Sequence, residues 1–235
     1  MHPWYNNIMK VYDIVYEDED ILAVNKLTPL PVQPDKSGDE DLQTLLRGEI
    51  KPAPIFLEAA HRIDRRCSGL VIFAKNAKAL RSLEEAFRDR LVTKTYVACL
   101  EKEPIPPEGV LRHRIVSDSK RNRSQALEII PGRKTEKHDR QSVDAELSYS
   151  LIMRTDRYFF VEAKPLTGRH HQIRAQFAAM GWPIKGDLKY GARRSSPSGR
   201  IMLHGRSAEF VHPGNGERIT LTAPYPEDET LWTLL

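Results

Sequence analysis

Apolar residues fall along this chain in short alternating or continuous runs, and only two segments keep a clear helical spacing. Val11–Tyr16 and Ile21–Asn25 are rich in β-branched residues, and the acidic stretch Glu17–Asp20 between them predicts a hairpin. Pro29, Pro31 and Pro34 mark a loop, followed by a short helix over Leu42–Arg47. The unbroken run Leu70–Ala74 predicts a buried strand. Across Ala77–Arg90, Leu80, Leu83, Ala86 and Phe87 recur at helical spacing with charges opposite, which predicts an amphipathic helix. Thr93–Leu100 returns to strand character. After Pro104, Pro106 and Pro107, Val110–Val116 reads as a strand and the basic segment that follows as a loop around Pro131-Gly132. Val143–Ile152 and Tyr158–Ala163 predict paired strands joined near Arg154–Asp156. His171–Met180 predicts a helix burying Ile173, Phe177 and Met180, stopped by Gly181. Ile201–Phe210 and Arg218–Thr222 supply the last strands. Strands outnumber helices and most connections are hairpin-like, so the expected class is α+β, a mixed and mostly antiparallel sheet with flanking helices. No repeat, low-complexity tract or convincing linker divides the chain. One domain is expected over residues 13–226, with terminal extensions at 1–12 and 227–235.

Composition narrows the setting. With 235 residues, 40% hydrophobic and 29% charged, the chain is long enough for a sizeable core and polar enough to be globular. No apolar run approaches the roughly 20 residues of a spanning helix, and the start Met1-His2-Pro3-Trp4 lacks the pattern of a signal peptide. Two cysteines, Cys67 and Cys99, provide neither a disulfide framework nor a four-ligand zinc site. A cytoplasmic, reduced protein is the expectation, with no membrane partner and a monomer as the default. A formal charge of +4 and an isoelectric point near 9.0 lean towards a polyanion. Distribution strengthens this. From Arg112 to Arg140 nine lysines and arginines accompany only Asp118, Glu128, Glu136 and Asp139, and a second cluster holds Lys185, Lys189, Arg193, Arg194 and Arg200.

Four segments carry candidate chemistry. His61-Arg62-Ile63-Asp64-Arg65-Arg66-Cys67-Ser68-Gly69-Leu70 sets one aspartate among three arginines at the edge of the buried strand. Such a carboxylate can be aimed at a substrate, or it can belong to an ordinary surface turn. Lys94-Thr95-Tyr96 places an aromatic ring on a strand, where a half-buried tyrosine is common. Gly168-Arg169-His170-His171-Gln172-Ile173-Arg174 is a cationic entry to a helix. Adjacent His170 and His171 cannot share one helical face, which argues against a paired metal site. Trp182–Gly191 is a Gly-bounded loop with aromatic and basic residues, in which Gly186-Asp187 can be a simple turn. Taken singly, none of the four specifies a function.

Taken in order they resemble the RluA family of pseudouridine synthases, which modify uridines in ribosomal and transfer RNA. The family pattern HRLDxxTSG stands here as His61–Gly69, K-x-Y as Lys94–Tyr96, GRxHQIR as Gly168–Arg174, and G-x-P-I-x-G-D-x-x-Y-G as Gly181–Gly191, with a late Leu203-His204. The likeness covers about Ile14 to Pro226. Cys67 departs from the usual threonine, His170 from a usually smaller residue, and Asp118–Ser142 lacks the family's G-K-x-A-x-T pattern. The sequence before Asp13 is too short for the S4-type RNA-binding module that many relatives carry.

The resemblance implies breaking a uridine N1–C1′ bond, turning the base and joining C5 to C1′, with no cofactor or metal. It assigns Asp64 as nucleophile or base, Arg174 as the cation that keeps it ionised, and Tyr96 as the ring that stacks on uracil. Ile173 would close the apolar side of the base pocket. Arg62 would fill the space left by the flipped base, while Arg169, Lys185 and His61 add substrate contacts, the cations towards the RNA backbone. Attack at C1′ and proton abstraction at C2′ stay open, as does whether Tyr96 or a water it positions takes the C5 proton. Two rival readings are an RNA-binding protein without the chemistry and a metal-dependent nuclease or hydrolase using His61, Asp64 and the His170–His171 pair. The second lacks the additional carboxylate that two-metal chemistry normally uses.

Overall fold

The computed structural model describes residues 11–27, 29–50, 56–129 and 142–235. In chain order its elements begin with strands β1 (Tyr12–Glu17) and β2 (Ile21–Lys26), helix α1 (Leu42–Glu49), strands β3 (Glu58–Ala59) and β4 (Ser68–Ala74) and helix α2 (Ala77–Arg88). There follow β5 (Thr93–Leu100), β6 (Glu108–Asp118), β7 (Arg123–Glu128), β8 (Val143–Arg154), β9 (Phe159–Pro165) and helix α3 (Gln172–Ala179). Strands β10 (Leu203–Val211) and β11 (Arg218–Thr222) complete the set. Every strand pairing with a described register is antiparallel, so the α+β class expected from the pattern holds. The chain gathers into two compact units, one of residues up to Val92 with Gly205–Leu235 and one of Thr93–His204.

In the first unit β1 and β2 form the expected hairpin, and β4 continues the sheet beside β2. The carboxylate of Asp18 shapes the hairpin turn by accepting the amides of Asp20 and Ile21 at 2.9 and 2.8 Å. Every residue of β4 is buried, because alternate side chains enter two apolar environments. Leu70, Ile72 and Ala74 join Ile21, Ala23, Phe210 and Leu221 in one core, against which Ala79 and Leu83 of α2 pack. Helix α2 starts where Asn76 caps the amide of Ala79 at 2.8 Å. Gly69 lies in the left-handed region at φ 120°, and a Cβ there would fall 2.3 Å from the amide nitrogen of Gly205 in β10. Only glycine permits that backbone approach.

In the second unit the strand order is β5-β9-β8-β6-β7. The segment expected to be a loop after Val116 instead continues as strand to Asp118 and returns as β7, paired from His113↔Glu128 to Asp118↔Arg123. Its polar alternation hid this, since inward side chains such as Ser124 and Ala126 are small. The part of that loop over 130–141 lies outside the described residues. Helix α3 buries Gln172–Phe177 almost entirely, and Met180, expected in the core, is 39% exposed. The helix is covered on more than one side, so its buried set includes polar residues and does not follow an apolar stripe. Gln176 donates to the Leu111 carbonyl and lies 3.1 Å from His113 Nδ1. Burial lowers the His113 pKa, partly offset by Glu128, which favours the neutral ring there.

Two outcomes follow. Gly69→Ala combines backbone strain with a clash and is expected to cost more than about 2 kcal/mol of stability, read as a lower urea midpoint with unchanged slope. At Asp18, burial works against the charge, but the Ile21 and Asp20 amides, the Tyr16 hydroxyl and His212 together hold its pKa below the usual value of 3.8. Its stabilisation is therefore present above that value and is lost as pH falls through the lower folded pKa. Asp18→Asn is expected to flatten the acid limb of a stability–pH profile and leave the limb above pH 6 parallel to wild type.

Candidate active site

The segment His61–Gly69 leads into β4 and is fixed from both ends. The ring of His61 lies against Phe87 with centroids 4.8 Å apart, and its Nε2 accepts the amide of Ile72 at 3.1 Å. The carbonyl of Asp64 accepts the amide of Cys67 at 2.9 Å, closing a tight turn over the buried Cys67 and Ser68. This main-chain bond closes the turn whichever side chain stands at 67. Beneath it lies Lys26, fully buried at the end of β2, whose Nζ donates to the Arg65 carbonyl at 2.9 Å. Sequence reasoning passed over Lys26, although a lysine ending the apolar run Ile21–Asn25 was the available signal. Asp64 itself is half-buried and Arg62 is exposed. Arg65, which had no expected role, pairs with Asp39.

The second unit holds the other expected residues. Tyr96 is half-buried in β5, opposite Ala163 of β9. Between β9 and α3, Gln172 ties the chain down: its Oε1 accepts the Thr167 hydroxyl at 2.7 Å and the Arg169 amide at 3.0 Å, and its Nε2 donates to the Glu146 carbonyl. Ile173 is 7% exposed, whereas Arg169 is exposed with its Nε 3.3 Å from the Asp144 carbonyl.

Arg174 is the buried charge of this unit. Its Nε and Nη2 donate to the two carboxylate oxygens of Asp187 at 2.7 and 2.8 Å, with side-chain exposures of 5% and 0%. Asp187 was read from sequence as part of a turn, and its role as a bidentate acceptor went unseen. Gly186 beside it is obligatory: φ is 85°, and a Cβ would lie 2.6 Å from the Ser196 hydroxyl and 2.9 Å from the Arg200 carbonyl. The guanidinium also lies over the ring of Tyr190, 4.8 Å from its centroid. The Tyr190 oxygen accepts the Ser124 amide at 2.8 Å and sits 2.9 Å from His171 Nδ1. Asp187 takes two of the five N–H donors of Arg174. The guanidinium is therefore held rigidly.

His170 and His171 precede α3, so the argument from a shared helix face does not apply to them. Their rings stack at 3.8 Å, with His171 in the left-handed region at φ 54°. His170 contacts Ser124 and Asn122 through its two nitrogens, each at 3.0 Å. Among the described residues no group of three or more histidines, cysteines or carboxylates is placed to hold a metal ion. Lys185 is held by main-chain bonds to Cys99 and Met202, with its ammonium 5.9 Å from the Tyr158 ring, and Lys189 donates to the Asn122 carbonyl at 2.9 Å. The basic hairpin is less unbalanced than the sequence suggested. Arg112 faces Glu146 at 3.0 Å and Arg114 faces Asp144 at 3.7 Å, acids supplied by the neighbouring strand β8.

Fold and motif order together define an RNA-modifying isomerase. The family model described as RNA pseudouridylate synthase matches residues 20–179, and the chain belongs to that family. It is 31% identical over 228 residues to the ribosomal large subunit pseudouridine synthase C of Haemophilus ducreyi, covering 94% of this chain and 68% of that protein. It is 30% identical over 217 residues to the dual-specificity RNA pseudouridine synthase RluA of Escherichia coli, covering 90% and 92%. The chain thus spans about two thirds of the first relative and nearly all of the second. Among solved structures, human RNA pseudouridylate synthase domain containing 4 shares the fold, with TM-score 0.75, 23% identity and coverage of 94% and 91%. Human RNA pseudouridylate synthase domain containing 1 has a TM-score of 0.71, 28% identity and coverage of 92% and 84%.

Removing one partner of the Arg174–Asp187 pair leaves a buried charge uncompensated. Asp187→Asn is expected to lower unfolding free energy by about 3–5 kcal/mol, measured by urea denaturation. A loss below about 1 kcal/mol would show that the pair is not the anchor of this unit.

Proposed function

We propose that this chain isomerises specific uridines of structured RNA, in 23S ribosomal RNA, transfer RNA or both, to pseudouridine. The observation that carries the reading is one family match over residues 20–179, an interval that contains Asp64, Tyr96 and Arg174 in motif order. The relatives named for ribosomal and for dual-specificity synthases support the class of RNA. The catalytic domain is residues 13–226, and the protein acts as a monomer in the cytoplasm.

In this reading the target base leaves its stack, at a cost of a few kcal/mol. Asp64 acts as nucleophile or base at the sugar while the N1–C1′ bond breaks. The base turns, C5 bonds to C1′, C5 loses a proton and N1 gains one, so substrate and product are isomers and no group enters or leaves. Arg174, which Asp187 holds in place, takes the role the family resemblance assigns it, the cation that keeps Asp64 ionised, since a neighbouring cation favours an ionised carboxylate. Tyr96 stacks on uracil and Ile173 closes the apolar side. Exposed Arg62 takes the place of the flipped base, and Arg169 and Lys185 contact the backbone. His61 acts at the same substrate pocket by holding the segment that carries Asp64.

The test is release of tritium from 5-tritiated uridine in total transfer RNA and 23S ribosomal RNA. Wild type is expected to release it with or without chelator. Asp64→Asn is expected to release none while binding RNA within a few-fold of wild type, because phosphate contacts dominate affinity. Substantial turnover by that variant removes Asp64 from the role, and sensitivity to chelator favours the metal-dependent rival.

A further inference from the structure

Lys94 opens the K-x-Y element, and no role has yet been given to it. It lies in β5 two residues before Tyr96, so both side chains leave the same face of the strand, about 6.6 Å apart along it. Strand β9 ends at Pro165, and the chain then turns to bring Gly168 over the lysine. The Lys94 ammonium lies 3.4 Å from the point where a Cβ at 168 would stand. A glycine there leaves the ammonium reachable beside the exposed Arg169.

Among the described residues no hydrogen bond or ion pair holds this ammonium. It is only partly exposed, and burial lowers its pKa. An ammonium drawn out of water without a counter-charge weakens the folded state. Its folded pKa lies below the unfolded value, so the penalty is full at neutral pH and vanishes only above the unfolded pKa. A bound anion would remove the penalty. Arg169 follows Gly168 in the chain and is exposed, a second cation able to share it, and Tyr96 stands two residues along the same face of the strand.

We infer that Lys94 binds a phosphate group of the RNA strand next to the uridine stacked on Tyr96. The inference rests on the reading of Tyr96 given above, and its experiment separates the two. The probes are total transfer RNA and 23S ribosomal RNA carrying 5-tritiated uridine, assayed for release and for binding across a salt series. Lys94→Met is expected to raise KM about tenfold with kcat within twofold. The slope of log affinity against log salt should fall by about one unit. Its melting temperature is expected at or above wild type, because a desolvated charge is gone. Lys94→Arg is expected to restore the slope. A methionine variant with wild-type KM and slope overturns the inference. So does one that melts lower and loses kcat and affinity together, which marks a structural lysine. If wild type releases no tritium, the isomerase reading fails, and the binding slope still decides Lys94.

Discussion

The buried pair of Arg174 and Asp187 is the constraint on which the second unit depends. Two opposite charges removed from water are tolerable only when their hydrogen bonds are well formed, and here both carboxylate oxygens are engaged by one guanidinium. The requirement propagates outward. Asp187 can reach α3 only because Gly186 allows the loop to pass close to Ser196 and Arg200. Tyr190 covers the guanidinium with its ring and is itself fixed by Ser124 and His171. Hairpin β6–β7 is thereby tied to the loop after α3 through polar contacts. Because such networks are costly when partly satisfied, the residues involved must be specified together.

Asp64 is positioned by a different kind of restraint. Main chain and scaffold hold its turn, through the Asp64–Cys67 bond, the Lys26 contact to the Arg65 carbonyl and the His61 contact to Ile72. Immediately afterwards Gly69 brings β4 close to β10. The carboxylate therefore projects from a short turn whose two ends are locked into a fully buried strand and an adjacent helix. This is the arrangement that precise chemistry asks of its scaffold.

How much of this was legible depends on what each element buries. β4 and α2 could be read because their apolar patterns match the geometry they adopt, continuous for a strand covered on both faces and periodic for a helix covered on one. β7 could not, because Arg123–Glu128 shows the core only Ser124 and Ala126. α3 was placed but misassigned in detail: Arg174, Gln172 and Gln176 are buried by hydrogen bonding, which no hydropathy pattern announces, and Met180 was left at the surface. Asp187 and Lys26 share that cause. Both are charged residues at the end of unremarkable apolar stretches, and their partners lie far from them along the chain or on its backbone. The site motif gave the order of the parts without giving the bonds that hold them.

The same logic changes what the positive charge means. Net charge and the basic hairpin suggested a surface that attracts RNA by excess alone, yet Arg112, Arg114 and Arg65 are matched by Glu146, Asp144 and Asp39. Exposed pairs of this kind contribute little to stability, about 0–1 kcal/mol, so a phosphate can replace the carboxylate at small cost. Such residues supply general attraction. Selection of a register along RNA needs cations whose positions are set before the nucleic acid arrives. On the proposed reading Lys94, confined between β5 and Gly168, meets that condition in a way the hairpin arginines do not. On that reading, affinity and register therefore belong to different residues, and only the first follows from net charge.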